Sequence, residues 1–411
     1  MRKSSYRVAA GLAVIALLAA GCSSDNAAED TAASEETVAV DPQLEIFTWW
    51  SSGGEAEGLA GMESVFKANN PDTEYVNASI AGGAGVNAKA VLTSRLEAND
   101  PPDSFQAHAG MELDGYVKSG KLEDLTDLYK SEGWDTIFPA DLIKTLTVDG
   151  KIYSVPVNIH RANVLWWNPA TAAKAGITGL ALAGNGDWAI AHLLDYILLA
   201  SLGADAYEGL FKGTTSWTGP EVAAALKNFQ KALSYGNKGA GNLDWPDAGK
   251  LVTSGKAGFF IMGDWASAQW QSEGLVLGTD YTWAPAPGTV GVYQWLSDSF
   301  TLPIGAKHRN AGLAWLKVCG SKEGQDAFNP KKGSISARTD SDPSVYDDYL
   351  KAAMEMWKTD RLVGSTVHGV NGNNALMAAY NTAVGKYFSG GFKDNAGLAK
   401  DLDAAYMAGQ A

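Results

Sequence analysis

Trp49 and Trp50 stand at the end of the first predicted strand, and Ser51-Ser52-Gly53-Gly54-Glu55 follows at once. Flat indole faces suit sugar rings and nucleobases alike, and a glycine-serine loop can carry the Glu55 carboxylate to whatever the indoles hold. Adjacent strand residues face opposite ways, so at most one of the two tryptophans points squarely at a given ligand. Three of the five histidines stand in distinctive settings: His108 after Ser104-Phe105-Gln106, His160 after Val155-Pro156-Val157-Asn158, and His368 in Val367-His368-Gly369. A lone histidine is more often a satisfied packing group, and adjacent tryptophans are often core. No close-spaced ligand set is present, so neither a metal nor another cofactor is expected. Gly82-Gly83-Ala84-Gly85 lacks the Lys-Ser/Thr ending of a phosphate loop and reads as a tight strand-to-helix turn.

The elements that must position these groups alternate in type. Leu44 to Phe47 predicts a strand, 55–68 a helix, Glu74 to Ile80 a second strand entered by the Asn70-Pro71-Asp72 turn, and Val86 to Leu96 a helix. Strand-helix-strand alternation argues for a parallel sheet flanked by helices, and such sheets bind ligands at the C-terminal ends of their strands. Asp149-Gly150 between apolar runs predicts a hairpin. The stretch from about 188 to 270 is mainly helical, and 255–262 reads as a helix end followed by a buried strand. Crossings between lobes are expected near 155, 295–302 and 340.

A chain of 411 residues exceeds what one core usually organises, so two lobes are expected. The formal charge of −14 disfavours phosphate backbones, so nucleic acid is not an expected partner. Of fourteen tryptophans most belong in the core, leaving a minority for a site. Arg2, Lys3 and Arg7 precede an apolar run from Val8 to Ala20, which is short for a membrane span and fits a signal peptide over residues 1–21. Leu18-Ala19-Ala20-Gly21-Cys22 resembles a bacterial lipobox, with Ala19 where leucine is usual, and predicts lipidation of Cys22. Residues 22–43 are small and acidic, and read as a flexible tether. With Cys22 acylated, Cys319 has no disulfide partner and is expected to be an inert packed thiol.

The motifs become specific together. Glu45 to Trp50, Gly82 to Val91 (GGAGVNAKAV), Pro101 to Glu112 (PPDSFQAHAGME), Tyr153 to Asn163 (YSVPVNIHRAN), Ile261 to Ala266 (IMGDWA), Leu296 to Pro303 (LSDSFTLP), Ser321 to Arg338 and Val367-His368-Gly369 occur in this order. The series resembles the glucose/mannose-binding proteins of bacterial ABC importers, within the carbohydrate extracellular solute-binding family, from residue 44 to the end. The resemblance implies an α/β, periplasmic-binding-protein-like fold: two α/β lobes joined by a multi-strand hinge, with the ligand cleft between them. The N-terminal lobe is expected over 44–154 plus 296–340 and the C-terminal lobe over 155–295 plus 341–411. It implies sugar contacts from Trp49, Trp50, Glu55, Gln106, His108, Asp298, Lys332 and His368, with Trp265 as a stacking wall; His160 and Asn158 lie in a shared motif with a possible hinge role. The chain departs from its relatives after Asn168-Pro169, where a helix-sized segment is missing.

What the resemblance implies is a lipid-anchored, extracytoplasmic monomer, not an enzyme, that binds a monosaccharide, with glucose favoured, and delivers it to ABC permease subunits. The chemistry is coherent on its own terms. A pyranose has apolar C–H faces for an indole to cover and a rim of hydroxyls that donate and accept at once. Two rivals share these features: a glycoside hydrolase, which needs two carboxylates about 5–10 Å apart across one bond, and a sugar-sensing lipoprotein that docks to a signalling receptor.

Overall fold

The computed structural model describes residues 41–174 and 176–410, so the signal segment, Cys22 and the tether as far as Val40 lie outside the described residues. The described residues begin slightly ahead of the expected Leu44. The Asp41 carboxylate accepts from the backbone N–H of Asn310 and Ala311, at 2.8 and 3.0 Å, and so occupies the start of the Arg309–Gly320 helix.

A five-stranded sheet forms the first lobe, in the order β2 (Glu74–Asn77), β1 (Gln43–Phe47), β3 (Ser104–His108), β13 (Asp298–Thr301), β6 (Ser154–Pro156). Leu44 and Ile46 are buried while Gln43 and Glu45 are partly open, the alternation of a strand with one covered face. β1 runs parallel to β2 and β3, as strand-helix-strand alternation requires, whereas β13 enters antiparallel between β3 and β6. That register sets Asp298 directly opposite His108 and Phe300 opposite Gln106. The second strand is shorter than the expected 74–80, but Ala78 and Ile80 still bond the carbonyls of Ile46 and Thr48, at 2.9 Å each.

The Gly53–Asn69 helix buries Leu59, Met62 and Phe66 and packs lengthwise on the Lys322–Lys332 helix. Gly54 permits this approach: a Cβ there would stand 2.5 Å from the Lys331 carbonyl oxygen. The close contact brings Glu55 to Lys332.

The second lobe holds a four-stranded sheet, β11 (Thr282–Pro285), β8 (Val164–Trp167), β10 (Ala257–Met262), β9 (Thr178–Leu180). Five helices from Trp188–Leu202 to Trp265–Ser272 fill the stretch expected to be helical. Between β8 and β9 the described residues form turns and no helix, in the region where the sequence runs short. A three-stranded sheet, β14 (Arg361–Gly364), β12 (Val292–Leu296), β7 (His160–Arg161), sits where the chain passes between the lobes. β6 leads through β7 to β8, and β12 leads through Ser297 to β13. The hairpin of β4 (Thr147–Val148) and β5 (Lys151–Ile152) turns at Asp149-Gly150 as expected. Cys319 is fully buried, and burial pushes its thiol well above the usual range. Among the described residues no single helix is long and apolar enough to cross a membrane.

Candidate functional site

Strand ends and helix starts from both lobes converge on one cavity of about 30 Å³. Trp49, Glu55, His108, Asp298 and Lys332 line it from the first lobe; Trp265 and His368 approach with the second. Two expected residues do not line it. Trp50 is turned to the other side of its segment, fully buried against Phe300 and Phe328 with ring centroids 5.7 and 4.9 Å away. Adjacent residues on an extended chain diverge in this way. Gln106 lies behind the wall and acts through Asp298.

Asp298 is the most thoroughly held group. Its carboxylate accepts from Gln106 Nε2 and Asn158 Nδ2, each at 2.8 Å, while its backbone N–H donates to Asn158 Oδ1 at 2.7 Å. Gln106 is fixed in turn, its Oε1 accepting from the Thr48 hydroxyl and, at 3.3 Å, from the Trp49 backbone N–H. The Nε2 atoms of His108 and His160 lie 3.8 and 3.5 Å from the two carboxylate oxygens.

His108 is oriented by Glu112, whose carboxylate lies 2.6 Å from Nδ1 and 2.8 Å from the Lys89 ammonium. Burial alone would raise the Glu112 pKa, but the charges and hydrogen bonds of Lys89 and His108 overrule it and hold the group down at about 2. An ionised Glu112 can only accept, so His108 Nδ1 carries a proton. Lys89 also sits 5.3 Å from the centre of the Trp49 ring, and the Trp49 and His108 rings are 5.1 Å apart. The glycine turn lets the backbone lie against this indole: Gly85 has φ +73°, and a Cβ there would meet Trp49 at 2.5 Å.

Lys332 bonds Glu55 at 2.9 Å and stands over the rings of Trp50 and Trp265 at 5.4 and 6.0 Å. Burial raises the Glu55 pKa against the pull of Lys332. The two cations near the cavity are thus matched by Glu55 and Glu112, leaving Asp298 as the carboxylate without a cationic partner of its own.

His160 Nδ1 faces the Asp264 carboxylate, which also accepts from the Arg161 backbone N–H at 2.8 Å. Burial pushes the Asp264 carboxyl up and the His160 imidazole down. The opposite wall is aromatic. Trp265 and Trp188 approach each other at 6.1 Å, and His368 meets them at 5.4 and 5.6 Å. His192 stands 5.4 Å behind His368. Burial lowers both imidazoles, His192 to about 4, so both are neutral near pH 7. The Nε1 of Trp188 and the Nε2 atoms of His160, His192 and His368 are buried with no hydrogen-bond partner in the protein. Among the described residues no group of three His, Cys, Asp or Glu side chains is arranged to hold a metal.

Sequence reasoning missed several of these groups. Trp188 opens a helix whose residues are almost all buried, and in sequence it is indistinguishable from core; Trp245 starts another helix in the same way. Glu112 carried a usable signal, four residues after His108 in the same motif. Asn158 stood in the His160 motif with an open role, and its bonds tie it to Asp298. Outside the cavity a larger chamber of about 380 Å³ shares Ala84 and Trp188 with it and reaches Lys89, Tyr116, Asn374 and Asn381.

Comparison with known proteins bears on the chain as a whole. Residues 44–326 match the family described as bacterial extracellular solute-binding protein. An uncharacterised ABC transporter extracellular-binding protein of Pyrococcus horikoshii is 32% identical over 399 residues, 91% of this chain and 89% of its own. A probable sugar-binding periplasmic protein of Brucella suis biovar 1 is 30% identical over 436 aligned positions, 99% of this chain and all (100%) of its own. A solved chitin oligosaccharide binding protein superposes with a TM-score of 0.78 at 20% identity, covering 90% of this chain and 99% of that one, and so shares the fold.

Proposed function

This chain belongs to the bacterial extracellular solute-binding protein family, and from that premise we propose that it captures a monosaccharide, D-glucose in the first instance, and delivers it to ABC permease subunits. The observation that carries the reading is the composition of the cavity: indole faces from both lobes around Asp298, whose free lone pairs, with the bare Nε2 of His368, ask for hydrogen-bond donors. An anionic ligand would meet Asp298 with no free cation to offset it. A polyol supplies donors in quantity, and its C–H faces cover the indoles.

Closure supplies the signal to a transporter. The cavity of about 30 Å³ accommodates roughly a water molecule by the usual cavity measure, so the lobes must part to admit a pyranose. A ring touching Asp298 on one lobe and Trp265 on the other binds the closed form better and shifts the equilibrium toward it. No chemical step is needed, and the Asp298 carboxylate acts as a hydroxyl acceptor. Calorimetric titration with D-glucose tests this. Micromolar affinity, about −8 kcal/mol, is expected; absence of heat and of any thermal shift across common hexoses and pentoses would overturn it.

A short glycoside is a second reading, favoured by the chamber beside Trp188. Its lining combines Tyr116, Met377 and Trp188 faces with Asn381, whose Oδ1 is buried without a partner. Titration with cellobiose and maltose separates the readings, since tighter binding than D-glucose favours the glycoside. We further propose that Cys22 anchors the protein outside the cytoplasm through lipid. A Cys22→Ser protein should leave the membrane fraction, and one that stays there argues against the anchor.

A further inference from the structure

We propose that Asp195 and Ser365 are positioning residues that hold His368 as its Nδ1–H tautomer, so that a bare Nε2 faces the cavity and selects a ligand hydroxyl at that point. The tautomer follows from hydrogen bonds alone; the hydroxyl as its target rests on the sugar reading above.

Asp195 lies in the Trp188–Leu202 helix, fully buried, and its Oδ2 receives three contacts. Gln294 Nε2 approaches at 2.9 Å, the Thr366 backbone N–H at 3.1 Å and the Ser365 hydroxyl at 2.8 Å. The Gln294 amide and the Thr366 backbone N–H both donate to Oδ2 and take up its acceptor positions, which leaves no room for a proton there. A proton on the carboxyl would sit on Oδ1, which faces the Tyr207 hydroxyl at 2.5 Å, so Oδ2 accepts from Ser365 in either state. Ser365 has one proton, and it is spent on Asp195. Its oxygen therefore turns lone pairs toward His368 Nδ1, 2.7 Å away, and a contact of that length requires Nδ1 to carry hydrogen. Burial, with His192 as the next cause, keeps the ring neutral, so Nε2 has no proton. Nε2 is buried and has no partner in the protein, although His368 lines the cavity.

The consequence is selectivity by polarity. An ether oxygen or fluorine at this position would face a lone pair with a lone pair, whereas a hydroxyl donates. Asp195 does not line the cavity, and its hydrogen-bonded path to the His368 ring runs through Ser365. A relay that merely filled space would hold the ring in place without deciding which nitrogen carries the proton.

The test reads the proton directly. Long-range ¹H–¹⁵N correlation spectra of the histidine-labelled protein without sugar, with His368 assigned through a His368→Gln variant, should show a protonated Nδ1 and an unprotonated Nε2. Ser365→Ala should convert this to a tautomer mixture, and Ser365→Thr, which keeps the hydroxyl, should restore it. D-glucose affinity should fall about tenfold in Ser365→Ala and recover in Ser365→Thr. Across monodeoxyfluoro-glucoses, one position should be penalised in the wild type and tolerated in Ser365→Ala. A wild-type spectrum with Nε2 protonated, or one unchanged by Ser365→Ala, overturns the relay. The expected spectrum without any D-glucose binding supports the relay and counts instead against the sugar reading.

Discussion

The two walls of the cavity are built on opposite plans. On the first lobe, Asp298, His108, Glu112 and Lys89 form a connected set in which each charged group has a partner or a fixed donor, with Glu112 Oε1 the one oxygen of the set left without one. On the second, Trp188 and His368 present nitrogen atoms buried without partners in the protein, and His192 holds another behind them. Leaving such a group unpaired costs about 1–3 kcal/mol, so a ligand that lacks partners for Trp188 Nε1 and His368 Nε2 is disfavoured. The first wall fixes the orientation of its polar groups in advance, while the second leaves two of its nitrogens open.

Asp298→Ala breaks this comparison with the largest effect. It removes the acceptor that faces the cavity and strands the donors of Gln106 and Asn158, so D-glucose binding should weaken at least about a hundredfold in calorimetry, from two or more lost bonds. Trp50→Phe is the paired control: it alters the core behind the same wall and should leave affinity within about twofold while lowering the denaturation midpoint. Equal losses of affinity in both would mean that the two indoles are not divided between cavity and core.

Titration sharpens the contrast with a smaller effect. His192 has its pKa depressed from 6.5 to about 4 by burial, and burial lowers His368 too. The unfolded chain therefore binds protons below pH 6.5 that the folded protein refuses, and stability falls as pH drops from 6.5 toward 4. Asp195 opposes this, since burial raises it from 3.8 to about 6; its contribution is complete below 3.8 and lost as pH rises through 6. His192 alone accounts for a loss of about 1.5 kcal/mol between pH 6.5 and 5, at about 1.4 kcal/mol per pKa unit; His368 acts in the same direction and Asp195 against it. Glu112 is untouched in that window, because its contribution is lost only as pH falls from 4.5 through about 2. Urea denaturation at the two pH values checks this, and His192→Phe should flatten the dependence. An equally steep slope in the variant would show that His192 is not the neutral group assigned here.

Legibility differed between the walls for physical reasons. Trp49, His108 and Asp298 sit at strand ends, and a short alternating run announces its end in sequence. The in-register motif series also found Lys332 and Trp265 on helices. Trp188 and His192 lie in a helix buried nearly all round, where period 3.6 no longer separates a cavity face from a core face. Gln106 and Asn158 were visible as polar residues in motifs, but their common partner was not, because Asn158 and Asp298 are 140 positions apart.

By itself the sequence determined the alternation of strands and helices, the buried faces and the residue types gathered at strand ends, because those follow from local periodicity and turn chemistry. Only the tertiary structure decided that β13 inserts antiparallel beside β3, that Trp49 and not Trp50 faces the cavity, and which nitrogen of each histidine is left free. Pairing register depends on neighbours brought from far along the chain, and so does the direction of the Ser365 proton, which is set by Asp195 170 positions away. The last step, from Ser365 to His368, is local, but nothing local says which way that hydroxyl points.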